Sequence, residues 1–344
     1  VTQALNTLFV QTQGAYLHLE HDAVKIEVER ATVARVPLHH LSSITVFGNV
    51  LISPFLMARC ADDGRDINVL TEHGRFRARI HGSLSGNVLL RRAQYSALDD
   101  PGARLEIARR FVAGKIQNAR GTLMRAARET QDPHDWQALR DATRTLETSL
   151  AETRLAPSVD ELRGVEGNAA RVYFAAFTHL VRANREDFAF TARSKRPPRD
   201  PVNALLSFIY ALLTADCVAA LEGVGLDPQV GFLHALRPGR PALALDLIEE
   251  FRSFIADRLA LTLINRAQIT RKDFIEHTGG AWSLIESGRK TVLVEYQTRK
   301  RVELTHPVTQ TTVPLGLAPH LQARLLARHL RGDLETYPPF IPKV

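Results

Sequence analysis

The hydrophobic pattern of this chain changes period once, and that change constrains the fold more than any other feature. The first 85 or so residues read as mostly β, in short strand-like segments, one of which alternates with the period of a half-buried strand. Val24-Lys25-Ile26-Glu27-Val28-Glu29 is that segment. From Asn87 onward the repeat is about 3.6 residues, that of helices with one apolar face. The pattern predicts strands at 5–10, 15–19, 24–29, 33–36, 44–47, 67–70 and 76–80, a short helix at 54–61 and a turn at Asp63-Gly64. Helices are predicted at 87–98, 102–129, 133–151, 158–184, 201–222, 241–264, 287–302 and 315–331. The fold class is therefore α+β. A small N-terminal β-rich domain spans 1–85, and a larger, all-α C-terminal domain spans 86–344, with the break at 83–87.

A length of 344 residues fits about two domains. With 45% hydrophobic and 24% charged residues, the composition is globular rather than disordered. The expectation is that no apolar run approaches the roughly 18 residues that span a bilayer, so no membrane is involved. No basic stretch followed by an apolar core opens the chain, so a secreted form is not indicated. Two cysteines, Cys60 and Cys217, are too few for a disulfide framework or a structural zinc site, and a cytoplasmic location fits them. Secreted mini-protein, membrane protein and zinc finger are excluded on these grounds.

The 44 basic residues exceed the 37 acidic ones by +7, and most of them are arginine, which forks onto phosphate. That balance fits a nucleic-acid partner; composition alone fits a GC-rich genome as well.

Three polar groups depart from a plain helical core. Glu166 lies between Gly164 and Gly167 in a helical pattern, and each glycine costs about 1 kcal/mol against alanine there. Close approach of a ligand explains them, and so does a tight helix crossing. In the second group Asp246 and Glu249 stand at i and i+3 on one helical face, with Glu250 about 100° further round. His234 precedes the Pro238-Gly239 turn and can fold back over that helix. Imidazole nitrogen with carboxylate oxygens suits Mg²⁺ or Mn²⁺, although an ordinary surface helix has the same spacing. The third group, Arg193-Ser194-Lys195-Arg196-Pro197-Pro198-Arg199, is a proline-stiffened cationic loop: a linker, or a phosphate-binding segment beside an acidic site. Ser158-Val159-Asp160-Glu161 has the form of a capping box. His39-His40 and the His18/Glu20/His21 group read as exposed turn histidines rather than metal ligands.

At these residues the chain resembles the CRISPR-associated integrase family, the larger catalytic member of the spacer-acquisition pair, in its type I-C form. The likeness runs from Leu5-Asn6-Thr7-Leu8-Phe9-Val10 and Pro37-Leu38-His39-His40-Leu41 through Asn87-Val88-Leu89-Leu90-Arg91 to Leu330-Arg331-Gly332-Asp333. It is strongest at 162–170, 196–210 and 231–252. The resemblance implies a β-rich N-terminal domain, an α-helical catalytic domain, and a divalent metal, Mg²⁺ or Mn²⁺, held by Glu166, His234 and Glu249. Many relatives carry aspartate at the third of these positions. Asp246 and Asn168 take supporting roles, and Tyr173 and Asn203 lie in matching blocks. DNA-phosphate contacts are expected from Arg163, Arg193, Lys195, Arg196, Arg199, Arg240, Arg252 and Lys272. The resemblance further implies a homodimer that works with a small second adaptation protein on double-stranded DNA. The reaction it implies is attack of the 3′-hydroxyl of a captured fragment on a phosphodiester of the CRISPR repeat. Two alternatives remain at this point: a stand-alone nuclease on branched DNA, and a catalytically silent DNA-binding assembly subunit.

Overall fold

A computed structural model describes residues 6–72, 74, 76–82 and 88–342. The expected break at 83–87 lies outside the described residues, as does the start of the first expected strand. The N-terminal region is built from two four-stranded sheets. In the first, β1 (Thr7–Val10), β5 (Ser43–Phe47) and β7 (Asp66–Leu70) run parallel, and β8 (Phe76–Ile80) closes the edge antiparallel. The second has the order β4 (Ala31–Pro37), β3 (Ala23–Val28), β2 (Tyr16–Glu20), β6 (Leu51–Ile52). The alternation at 24–29 buries Val24 and Ile26 while Lys25 and Glu27 pair with each other. Leu17, Val24, Ile44, Val46 and Ile67 from both sheets meet Leu56 and Cys60 of α1 (Pro54–Asp62) in one apolar cluster.

The C-terminal region is mostly helical: α2 (Val88–Asp99), α3 (Pro101–Glu129), α4 (Pro133–Leu155), α5 (Val159–Ala176), α6 (Pro201–Gly223), α7 (Ala242–Ile248), α8 (Arg258–Asn265), α9 (Glu286–Arg301) and α10 (Ala318–Leu330). Its helix starts follow from their caps. Asp100, Asp132 and Asp200 each accept backbone N–H groups ahead of a first-turn proline, the local chemistry that begins a helix. Ser158 accepts the Glu161 N–H.

Several expectations need correction. The C-terminal region is not all-α, because it contains the hairpins β9 (Phe274–His277)/β10 (Ala281–Leu284) and β11 (Glu303–Thr305)/β12 (Thr312–Pro314). Their strands of three or four residues are too short to show a period. The helix expected at 158–184 ends at Ala176 with a single 3-10 turn beyond it. The helix expected at 241–264 is broken after Ile248 and continues through a π-helical turn, Arg252–Asp257. The expectation about apolar runs also fails. Helix α6 contains an 18-residue window of mean hydropathy 2.0. It is a core helix, with Val202, Leu205, Leu206, Ile209 and Leu213 at most 1% exposed. A central helix packed on all sides has no polar face to show.

The two regions meet along a mixed seam. Phe47 stacks on Phe208 of α6 with ring centroids 5.9 Å apart. Arg79 of β8 bridges Asp66, at 2.6 Å, and Glu222 at the end of α6. Arg289 of α9 reaches Glu72 at 3.2 Å.

Candidate active site

Four elements converge on the acidic residues. Glu166 lies midway along α5, and Glu249 follows the end of α7. Neither glycine beside Glu166 is needed for a helix crossing: a Cβ at Gly164 or Gly167 would meet nothing within 4 Å. The Glu166 side chain itself keeps 24% of its surface exposed, which leaves its carboxylate approachable by a ligand.

The Lys115 ammonium of α3 joins the two carboxylates. It contacts Glu166 Oε1 and lies 2.8 Å from Glu249 Oε2. Side-chain exposure falls from 24% at Glu166 to 14% at Lys115 and 2% at Glu249. Arg252 adds a second cation, with Nη1 2.8 Å from Glu249 Oε1 and its guanidinium over the Tyr210 ring. Burial alone would raise the Glu249 carboxyl, yet Arg252, Lys115 and His234 hold it down at about 2. Lys115 is held in its charged form against burial by Glu249 and Glu166.

His234 is oriented by Asp246. Both Asp246 oxygens are occupied: Oδ2 accepts the N–H groups of Phe232 (2.6 Å) and Leu233 (3.0 Å), and Oδ1 accepts that of His234 (2.9 Å). Oδ1 also lies 2.7 Å from His234 Nδ1. A carboxylate on Nδ1 fixes the proton there and turns the Nε2 lone pair outward, the arrangement of a metal-binding histidine. Asp246 thus positions a donor and has no free oxygen to act as one. The loop depends on Gly231, where a Cβ would come within 2.6 Å of the Ala242 carbonyl carbon and 2.7 Å of Asp246 Oδ2. Glu250 does face elsewhere, into a buried knot with Tyr337, Gln322 and the Phe340 N–H.

The Lys115 ammonium brings Glu166 and Glu249 together, whereas the donor atoms of Glu166, His234 and Glu249 do not all come within 4.8 Å of one another. Carboxylate oxygens and an imidazole nitrogen are the donor types that suit Mg²⁺ or Mn²⁺. Among the described residues two other groups, His134–Asp135–His179 and Asp66–His81–Glu222, do close to that spacing. Their carboxylates already carry Arg185 and Arg79, which explains both groups as ion-pair junctions.

The expected phosphate-contact residues divide into two sets. Arg163 donates to the Leu233 carbonyl at 2.7 Å, tying α5 to the His234 loop. Arg193 donates to Asn203 Oδ1 and Ser207 Oγ of α6, and Arg252 is paired with Glu249. These three are engaged within the protein. Lys195, Arg196, Arg199 and Lys272 are exposed, Arg199 donating to the Gly279 carbonyl. Arg240 is half-buried, with the charges of Arg237, Arg163 and Arg196 around it. Asn168 is exposed and accepts from Arg171. Asn203 is wholly buried and stitches the start of α6, while Tyr173 donates to the buried Asp257. His18 and Glu20 pair with Glu27, Lys25 and Arg35, and His39 and His40 are exposed on a 3-10 turn.

Sequence reading misses Lys115, which precedes Glu166 by 51 residues. The adjacent Gly114, inside the continuous helix α3, marks only a close approach to Glu250 and Pro339, where a Cβ would come within 3.1 Å.

Residues 8–298 match the family model of the CRISPR associated protein Cas1. A CRISPR-associated endonuclease Cas1 of Moorella thermoacetica is 54% identical over 98% of each chain. Among solved structures, a casposase bound to integration product superposes with a TM-score of 0.83 at 24% identity, over 97% of this chain and 92% of that one. A chain of a Cas6-RT-Cas1–Cas2 complex gives 0.84 at 21% identity, covering all of this chain and 37% of that one. At such identities these two likenesses concern the fold.

Proposed function

The chain belongs to the CRISPR-associated Cas1 family, and from that premise we propose that it is a metal-dependent DNA endonuclease and integrase of CRISPR adaptation. Endonuclease activity follows from the near-full-length identity to a curated Cas1 endonuclease. The finer reaction is transesterification, with the 3′-hydroxyl of a short captured DNA joined to the CRISPR repeat. The observation that carries it is the meeting of Glu166 and Glu249 on one cation, within electrostatic reach of His234.

In this reading Glu166, Glu249 and His234 Nε2 hold Mg²⁺ or Mn²⁺. When bound, the ion would neutralise charge developing on the phosphorus oxygens. Asp246 keeps the His234 lone pair directed outward, and Arg252 keeps Glu249 ionised. Lys195, Arg196, Arg199, Arg240 and Lys272 hold the DNA phosphates beside the site. No cysteine is available as a nucleophile: both are buried, and burial pushes the Cys60 thiol up to about 11 and that of Cys217 up as well. Direct attack by the DNA hydroxyl, or by water for cleavage, suits such a site.

Residues 1–85 serve as scaffold and dimerisation unit, and 86–344 as the catalytic unit. A homodimer acting with the small second adaptation protein in the cytoplasm completes the proposal, and its support is the family likeness. The test is cleavage of duplex and branched DNA with Mn²⁺. Cleavage that EDTA and Glu249→Gln both abolish is the expected result. Undiminished cleavage by Glu249→Gln would remove the proposed site.

A further inference from the structure

The cation between Glu166 and Glu249 is supplied by the protein itself, and a small cavity adjoins it. That cavity, of about 30 Å³, is mostly apolar, with Lys115, Glu249, Arg252, Ser253 and Asp257 among its charged and polar lining. Its volume suits a group the size of one water or one ammonium. Ser253 is 4% exposed, and its Oγ has no hydrogen-bond partner among the described residues. Buried hydroxyls are ordinarily satisfied, so an unpaired one lining a cavity marks a place for a polar partner. The Asp257 carboxylate lines the same cavity and accepts the Tyr173 and Tyr210 hydroxyls at 2.9 and 2.6 Å.

We propose that Lys115 is an exchangeable counter-cation: in the metal-free protein its ammonium bridges Glu166 and Glu249, and a divalent ion displaces it into the cavity beside Ser253. The inference rests on the metal-site reading above and adds a residue that acts against the metal. Two carboxylates brought together without a cation repel each other, and one of them is almost wholly buried. An internal ammonium neutralises them and keeps the donors assembled. The same ammonium must leave before another cation can enter, so it weakens metal binding by competition. Ser253 Oγ and the Asp257 carboxylate give the displaced charge a polar destination that offsets the Arg252 guanidinium in the same lining, itself paired with Glu249.

Purified wild type, Lys115→Met, Ser253→Ala and Glu166→Gln are compared by Mn²⁺ titration, read by electron paramagnetic resonance of the free ion. Each is also melted in EDTA and in Mn²⁺. Lys115→Met, which keeps length and removes charge, is expected to bind Mn²⁺ about tenfold more tightly, a modest fraction of one charge–charge interaction at this depth. In EDTA its Tm should fall by about 5 °C or more, with Mn²⁺ restoring it. Ser253→Ala should weaken Mn²⁺ binding and leave the Tm in EDTA unchanged. Equal or weaker Mn²⁺ binding by Lys115→Met, with binding still dependent on Glu166, overturns the exchange while sparing the metal site. No Mn²⁺ binding by wild type, or binding undisturbed in Glu166→Gln, overturns the metal site and the exchange together. If Lys115→Met folds in neither condition, Ser253→Ala decides: unchanged affinity rejects the proposal.

Discussion

Asp246 holds His234 from two directions, accepting its backbone N–H at 2.9 Å and lying 2.7 Å from its Nδ1. Backbone and ring are thus fixed by one carboxylate oxygen. Asp246→Asn keeps the shape but offers an amide that can present N–H to the ring, which disturbs the tautomer that directs Nε2 outward. Removing such a supporting partner typically costs about 10–100-fold in activity or metal affinity. The expected result is a fall of that size in Mn²⁺-dependent cleavage with DNA affinity retained, measured by gel cleavage and by fluorescence anisotropy. Wild-type cleavage would show that His234 needs no such orientation.

Gly231→Ala tests the same loop through sterics. The added methyl meets the Ala242 carbonyl carbon at 2.6 Å and Asp246 Oδ2 at 2.7 Å. Backbone cannot yield as a flexible side chain can, and overpacking of this kind costs about 1–3 kcal/mol. A lowered urea midpoint with unchanged m-value is expected, together with loss of cleavage. Unaltered stability would mean that the loop has slack.

Glu250 gives a pH signature. Burial pushes its carboxyl from 4.5 up to about 8, against the opposing hydrogen bonds from Phe340, Tyr337 and Gln322. The folded state therefore keeps a proton that the unfolded chain releases. The stabilising contribution is complete below pH 4.5 and is lost as pH rises through about 8. Stability from this group should fall by at most about 1.4 kcal/mol per pH unit across that window. Glu250→Gln should flatten the profile measured from urea midpoints, and a slope identical to wild type would contradict this role.

The basic residues make a contrast. Arg196 and Arg199 are exposed, whereas Arg193 is spent on Asn203 and Ser207. Arg196→Ala with Arg199→Ala should lower the slope of log affinity against log salt by about 0.9 for each phosphate that is no longer neutralised. Arg193→Ala should chiefly lower Tm. An unchanged slope in the double variant would make the loop a linker.

Much of this architecture is legible in the sequence. Strand β3 falls where alternation places it, because Val24 and Ile26 bury one face, while β5 and β7 show as short apolar runs because both of their faces are covered. The starts of α3, α4 and α6 are written in Asp-Pro pairs. Glu166, His234 and Glu249 stand out through family motifs, since spacing alone leaves an ordinary surface helix open. The break after Ile248 has no breaker residue, because a π turn keeps helical composition while shifting hydrogen bonds from i−4 to i−5. Lys115 is hidden for another reason. On α3 it is one of several cations, among them Arg109, Arg110 and Arg120, and only its tertiary pairing with α5 and the end of α7 sets it apart.

The central claim is that Glu166, His234 and Glu249 hold a metal for DNA strand transfer. Its most direct test is a joining assay on supercoiled plasmid carrying a CRISPR repeat, with short 3′-hydroxyl duplexes, Mn²⁺ and the small partner present or absent. Covalent joining that needs the metal and the 3′-hydroxyl, and that disappears in His234→Ala while duplex binding persists, is the predicted result. Joining by His234→Ala at the wild-type rate would contradict the account, and nicking without joining under every condition would leave a nuclease alone.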